Sequence, residues 1–160
     1  MTEQTKNTEK LTDETERELL SFLVGGQDYS VDIMSVREIR GAAKATPLPR
    51  SPDFVLGVIN LRGTVLPVMD LSRRLGMDRQ AELDRNVIIV VAVGDQTVGL
   101  LVDAVSDILS IAEEDMQPPP ELRADADRSF VSALTIDDDG RMIRVLDLNA
   151  VLPEAGEEAA

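Results

Sequence analysis

Apolar residues recur along this chain in short runs broken by Gly, Asp and Pro, a spacing that predicts strands rather than long helices. Leu19–Val24 is the first run, and Gly25-Gly26 turns it into Tyr29–Ile33. Val55–Leu61 leads through Arg62-Gly63 into Thr64–Met69. Val87–Val93 is apolar at every position, as in a strand covered on both faces, and Gly94-Asp95 turns it into Thr97–Val102. Ser129–Ile136 and Arg141–Leu146 flank Asp137-Asp138-Asp139-Gly140, which reads as a hairpin loop. Short helices are predicted at Met34–Ile39, Leu71–Leu75 and Leu148–Leu152. Many short strands with few helices predict a mainly β protein built from small barrels.

An internal repeat sharpens this. Gly63-Thr-Val-Leu-Pro-Val-Met-Asp-Leu-Ser-Arg-Arg-Leu75 resembles Gly140-Arg-Met-Ile-Arg-Val-Leu-Asp-Leu-Asn-Ala-Val-Leu152. A weaker pair sets Tyr29-Ser-Val-Asp-Ile-Met-Ser-Val-Arg-Glu-Ile39 against Val98-Gly-Leu-Leu-Val-Asp-Ala-Val-Ser-Asp-Ile108. The order A, B, A′, B′ predicts two similar β-units in one chain, by duplication or by convergence. Residues 1–17, with three basic and five acidic side chains, are too polar to offset their ordering entropy and read as a mobile arm. The last eight residues, 153–160, read as a flexible acidic tail, which leaves 18–152 as the folded part.

Composition narrows the chemistry. The 160 residues, 43% of them hydrophobic, suit one domain or two small interlocked ones with an aliphatic core, since only three Phe and one Tyr are present. Without Cys there is no disulfide, thiolate zinc site or Cys nucleophile, and without His no imidazole base or Ser-His-Asp triad. A formal charge of -14 argues against nucleic acid. The N-terminus opens no apolar run and Val87–Val93 is far too short to span a bilayer, so a cytoplasmic protein without membrane insertion is expected.

The polar motifs mostly read as structure. Asp70 and Asp147 hold matching places in the repeat and are predicted to cap short helices rather than form an acid–base pair. The Asp137–Gly140 acids are consecutive and lack the closing Glu of a calcium loop, which favours a polar hairpin tip. Pro118-Pro119-Pro120, in a stretch of net -5 from Glu113 to Asp127, reads as a stiff crossover between the barrels. No phosphate-cradling signature is present and no cofactor is expected. One region differs: Arg37 to Arg74 carries seven basic and three acidic side chains, +4 within a chain of -14. Arg62 stands at its tight turn as a turn residue, as a presented contact, or pinned by a carboxylate such as Glu38.

Gly57-Val-Ile-Asn-Leu-Arg-Gly63 followed by Val65-Leu-Pro-Val-Met-Asp-Leu71 resembles the central signature of the CheW family of bacterial chemotaxis adaptors. Tyr29–Ile39 and Thr46-Pro-Leu-Pro49 upstream, and Val98–Asp103 and Arg144-Val-Leu-Asp-Leu148 downstream, extend the likeness over about Glu18 to Leu152. The resemblance implies two interlaced five-stranded SH3-like β-barrels around a shared aliphatic core, and no catalysis. It implies coupling of transmembrane chemoreceptors to a CheA-type histidine kinase, whose regulatory domain has the same fold, in arrays under the inner membrane, with self-association in array rings possible. A groove taking the receptor's helical hairpin tip would be walled by Leu20, Ile33, Val36, Ile39 and Val105, and Glu38 and Arg62 match a charged pair of the family. Val36 and Ile39, three apart on the expected helix, would share a face. An exposed ion pair adds little stability, so its role would be geometric. The Thr46–Phe54 loop, with Leu48, Pro49 and Phe54, is the candidate kinase-facing surface. Two other readings remain: a related array controlling surface motility or second-messenger output, and a small-ligand-binding β-barrel or a hydrolase using Asp70 and Asp147.

Overall fold

The computed structural model describes residues 16–41, 43–77, 86–119 and 130–152. Among these residues ten strands carry the fold: β1 (Glu16–Val24), β2 (Gln27–Asp32), β3 (Val36–Gly41), β4 (Val55–Leu61), β5 (Thr64–Asp70), β6 (Val87–Val93), β7 (Gln96–Val102), β8 (Ala104–Ala112), β9 (Val131–Ile136) and β10 (Met142–Leu146). Among the described residues the helical elements are two single turns, α1 (Leu71–Arg74) and α2 (Leu148–Val151), and two 3₁₀ turns at Ile33–Ser35 and Glu113–Asp115. The strands form two five-stranded sheets, ordered β8-β1-β2-β10-β9 and β3-β6-β7-β5-β4. Exchanging β1–β5 with β6–β10 turns one order into the other, so the halves are related by the internal repeat. The symmetry reaches into detail. Parallel pairing of β10 with β2 matches that of β5 with β7, and the isolated bridge Thr46–Val58 matches Gln117–Leu134. The described pairings leave each half open between its edge strands, so the barrels are not closed by hydrogen bonds.

The sheets interlace because β1–β5 give two strands to the first and three to the second, and β6–β10 give three and two. The chain leaves the first sheet through the Ile33–Ser35 turn into β3, and returns from β7 to β8 at Asp103. Asp103 is anchored there: its carboxylate accepts from Gly25 N at 2.9 Å and its N–H donates to Leu23 O at 2.9 Å. The main core lies between the sheets and combines Leu20, Phe22 and Val31 of the first with Ile89, Val91 and Leu100 of the second. A second cluster, including Ile59, Leu66, Ile88 and Val90, fills the second half alone. Strand β6 serves both clusters with alternate side chains, which is why Val87–Val93 is apolar throughout. At about 1.5–3 kcal/mol for each large aliphatic side chain buried, separating the halves is prohibitive.

Asp70 and Asp147 are N-caps as expected: they accept from Ser72 N at 3.1 Å and Asn149 N at 3.0 Å. Their own N–H groups donate to Phe54 O and Phe130 O, a second symmetric pair. Those phenyl rings meet at one guanidinium. Arg74 lies 4.4 Å from the Phe54 ring centroid and 5.1 Å from that of Phe130. It also donates from Nε to Val151 O at 2.8 Å and from Nη2 to Ala150 O at 3.2 Å, closing the carbonyl end of α2.

Several expectations change. Met34–Ile39 is not a helix: one 3₁₀ turn capped by Asp32 gives way at Val36 to strand, because the apolar strand β6 offers a ladder that short local helicity cannot match. Val36 and Ile39 therefore do not share a helical face; Val36 is half-buried and Ile39 exposed. Strand β8 was not legible, since Ser106, Asp107 and Ser110 interrupt its apolar residues as befits an edge strand. Pro118 and Pro119 lie between β8 and β9 of the same sheet, so this segment does not cross between the halves. The hairpin at Asp137–Gly140 forms as expected, with Asp137 Oδ1 accepting from Asp139 N and Arg141 N at 2.9 Å each. Strand β1 starts at Glu16, two residues inside the expected arm; residues 1–15, Pro120, Ser129 and the expected tail 153–160 lie outside the described residues.

Candidate functional site

The first crossing between the sheets carries the aliphatic residues of interest. Asp32 Oδ1 accepts from Met34 N at 2.9 Å and sets the 3₁₀ turn. Ile33 and, one residue beyond the turn, Val36 rest half-buried against the central core. Val105, on the symmetric crossing strand β8, also rests against that core and pairs with Phe22 of β1. Bulges at Val36/Glu38 and at Ser21/Phe22 give Val36 and Val105 equivalent places in the two halves. Leu20, 1% exposed, belongs to the core beneath rather than to the surface. Ile39 projects on β3 with 45% of its surface exposed.

Beside them the hairpin joining β4 and β5 presents Arg62. Leu61 pairs with Thr64, so Arg62-Gly63 is a two-residue loop, and φ values of 51° and 86° give it the doubly left-handed form that matches strand twist. Asn60 Oδ1 accepts from Gly63 N at 2.9 Å and holds the turn. The Arg62 guanidinium then reaches Glu38 of β3 twice, Nη2 to Oε1 and Nη1 to Oε2, the latter at 3.4 Å. Arg40 adds a longer contact to Glu38 at 3.5 Å. The Glu38 side chain is 23% exposed and that of Arg62 73%, so the pair is anchored at the acid and presented at the base.

Arg62 holds the Glu38 carboxyl below the usual carboxylate range, with Arg40 assisting and partial desolvation opposing. Glu38 in turn raises the Arg62 guanidinium above its ordinary value. A depressed carboxyl pKa stabilises the fold above the unfolded value, about 4.3, and this contribution fades as pH falls through the lower folded value. Glu38 is thus a carboxylate at neutral pH, as the bridge requires. In an NMR titration, Glu38 is expected to protonate below the ordinary glutamate range and to move up toward it in Arg62→Gln. Coincident titrations in the two proteins would mean that the bridge does not form in solution.

The rest of the basic stretch is largely engaged internally. Arg37 donates to Met34 O at 3.0 Å, Arg73 lies 3.6 Å from Asp53, and Arg74 sits between the two phenyl rings. In the candidate kinase-facing loop, Leu48 is 39% exposed and Pro49 exposed, while Arg50 takes a φ of 64°. The loop is fixed by the Thr46–Val58 bridge, where Gly57 is required: with φ at 147°, a Cβ there would lie 2.2 Å from Thr46 O. Phe54 does not join that surface. It is 9% exposed because its ring is drawn into the core beneath Arg74.

Met34 and Ile108 are among the exposed apolar residues that escaped sequence reasoning. Met34 is 79% exposed at the apex of the first crossing, and Ile108, the counterpart of Ile39, is 55% exposed on β8. For Met34 the signal was its place just after a capping Asp; for Ile108 it was the repeat, which pairs it with Ile39. Among the described residues no group of three or more carboxylates could hold a metal ion.

The chain matches the CheW-like domain over residues 18–156. It is 53% identical over 145 residues to the Chemotaxis protein CheW of Rhizobium meliloti (strain 1021), covering 90% of this chain and 92% of that protein. It is 36% identical over 152 residues to the Chemotaxis protein CheW of Klebsiella aerogenes, covering 94% and 90%. Among solved structures, the scaffolding protein TtCheW from Thermoanaerobacter tengcongensis superposes with a TM-score of 0.78 at 33% identity, covering 88% of this chain and 90% of that one.

Proposed function

The chain belongs to the CheW-like domain family, and from that premise we propose that it is a non-catalytic adaptor coupling transmembrane chemoreceptors to a CheA-type histidine kinase in chemotaxis arrays. One observation carries the reading: aliphatic side chains gather around the inter-sheet crossing beside a preformed, presented Glu38–Arg62 bridge. Ile33, Val36 and Val105 form the half-buried wall and Ile39 the exposed rim of a groove for the receptor's helical tip, with Leu20 as its floor. Such aliphatic walls take up the apolar stripe of a helix. Met34 extends the rim, and its flexible thioether adapts to that stripe. Glu38 and Arg62 orient the turn beside it.

The kinase regulatory domain is received at the loop carrying Leu48 and Pro49, and further copies join in array rings. Each contact is weak and gains strength through multivalent assembly, so the protein works at the inner face of the membrane through its partners. Among the described residues no helix is long and apolar enough to cross the membrane itself. Co-sedimentation of the chain with receptor-tip assemblies and a CheA-type kinase tests this. A ternary pellet dependent on all three components is expected; kinase pelleting equally well without the chain would overturn the adaptor role.

A further inference from the structure

The two halves treat their open seams differently. In the second half the seam runs between β3 and the β4–β5 hairpin, and Arg62 spans it to Glu38. The first half has the corresponding seam between β8 and the β9–β10 hairpin, whose loop has five residues between the paired Ile136 and Met142 where the other has two. Register makes Asp107 the counterpart of Glu38: it faces Ser21 of β1 as Glu38 faces Val90 of β6, one step past matching bulges. The hairpin tip that supplies Arg62-Gly63 in one half supplies Asp138-Asp139-Gly140 in the other. Acid therefore faces acid where the sister seam has an ion pair.

The result is an open cleft of about 500 Å³ lined by Asp107 and Ile108 on one side and Ile136, Asp137 and Asp138 on the other, with Glu16 at its edge. Among the described residues none of these carboxylates has an ion-pair partner; Asp107 and Asp137 each accept only backbone N–H groups nearby. Ile108 and Ile136 are 55% and 61% exposed, so the acidic rim borders aliphatic walls.

We propose that this cleft is a docking site for a partner protein segment that presents an arginine beside an aliphatic side chain. The chain itself contains the template. Arg62, next to Leu61 and Val65, makes in cis the contact that the partner's arginine would make in trans with Asp107, while the neighbouring aliphatic group covers Ile108 and Ile136. Like-signed rims repel one another and attract a cation, and a planar guanidinium can serve carboxylates on both sides at once. This site lies on a different seam from the proposed receptor groove and does not depend on the adaptor reading.

The test titrates the full chain, labelled for amide NMR, with the blocked hexapeptide Asn-Leu-Arg-Gly-Thr-Val, which copies residues 60–65, and with the same peptide bearing Glu in place of Arg. Shifts confined to 107–112 and 135–138, produced by the Arg peptide alone and weakening as salt rises, are expected. Asp107→Asn should weaken binding by about fivefold, the worth of one exposed charge contact. Asp138→Arg, which supplies the cation in cis, should abolish binding while leaving the amide spectrum of the second half unchanged. Shifts elsewhere, equal response to the Glu peptide, or undiminished binding by Asp138→Arg would overturn the proposal.

Discussion

Arg74→Ala is expected to destabilise the fold by about 3 kcal/mol, read as a lower urea midpoint with an unchanged slope. The side chain donates two charged hydrogen bonds to Ala150 O and Val151 O and lies against the Phe54 and Phe130 rings. Hydrogen bonds from a charged donor contribute about 1.5–3 kcal/mol each, and a cation over an aromatic face about 0.5–2 kcal/mol, with overlap between them. The melting temperature should fall by about 6–12 °C. Arg74→Lys should recover little, because an ammonium cannot offer the planar fork that meets two carbonyls and two rings. Arg74→Met separates the causes: if packing between the rings dominates, Met restores most of the loss; if the carbonyls of α2 dominate, it does not. Because those rings come from opposite halves of the repeat, hydrogen exchange in Arg74→Ala should rise on both sides of the junction together. A loss confined to α2 would show that Arg74 serves the helix end alone.

Arg62→Glu is expected to lower receptor-stimulated kinase activity by about tenfold or more while the protein still folds. The substitution sets two carboxylates against each other at a turn that already holds a non-glycine residue at φ 51°. The strands on either side pair through Leu61 and Thr64 and do not need the bridge, so circular dichroism and melting should change little. The charge swap Glu38→Arg with Arg62→Glu is informative. If the bridge acts by orienting the turn, the double variant recovers coupling; if Arg62 itself touches the receptor, it does not. Normal coupling in the single variant would remove Arg62 from the site.

Much of the fold was legible because local chemistry and tertiary outcome agreed. Val87–Val93, apolar at every position, reads as a strand covered on both faces, and β6 lies with one face on the shared core and the other on the second half's own core. Asp70 and Asp147 announced caps, and both accept from the residue two places on. The failures had a common cause. Val36–Gly41 and Ala104–Ala112 are the first strands after each crossing between the sheets, and each is specified by a partner distant in sequence. Their own residues are mixed because only one edge of each is paired. Phe54 was misplaced for a related reason: its burial depends on Arg74, twenty positions later.

By itself, then, the sequence determined a mainly β chain, its repeat, its capped turns and its lack of imidazole and thiol chemistry, since these follow from residue type and short-range order. Only the tertiary structure decided which seam is bridged and which is left open. The repeat makes Glu38 and Asp107 equivalent, yet their fates depend on what the opposite hairpin brings across, Arg62 in one half and Asp138 in the other. Charge attraction falls off with distance and needs both groups in place, so the basic stretch from Arg37 to Arg74 acquired meaning only when folding brought one of its arginines to a carboxylate and another between two rings.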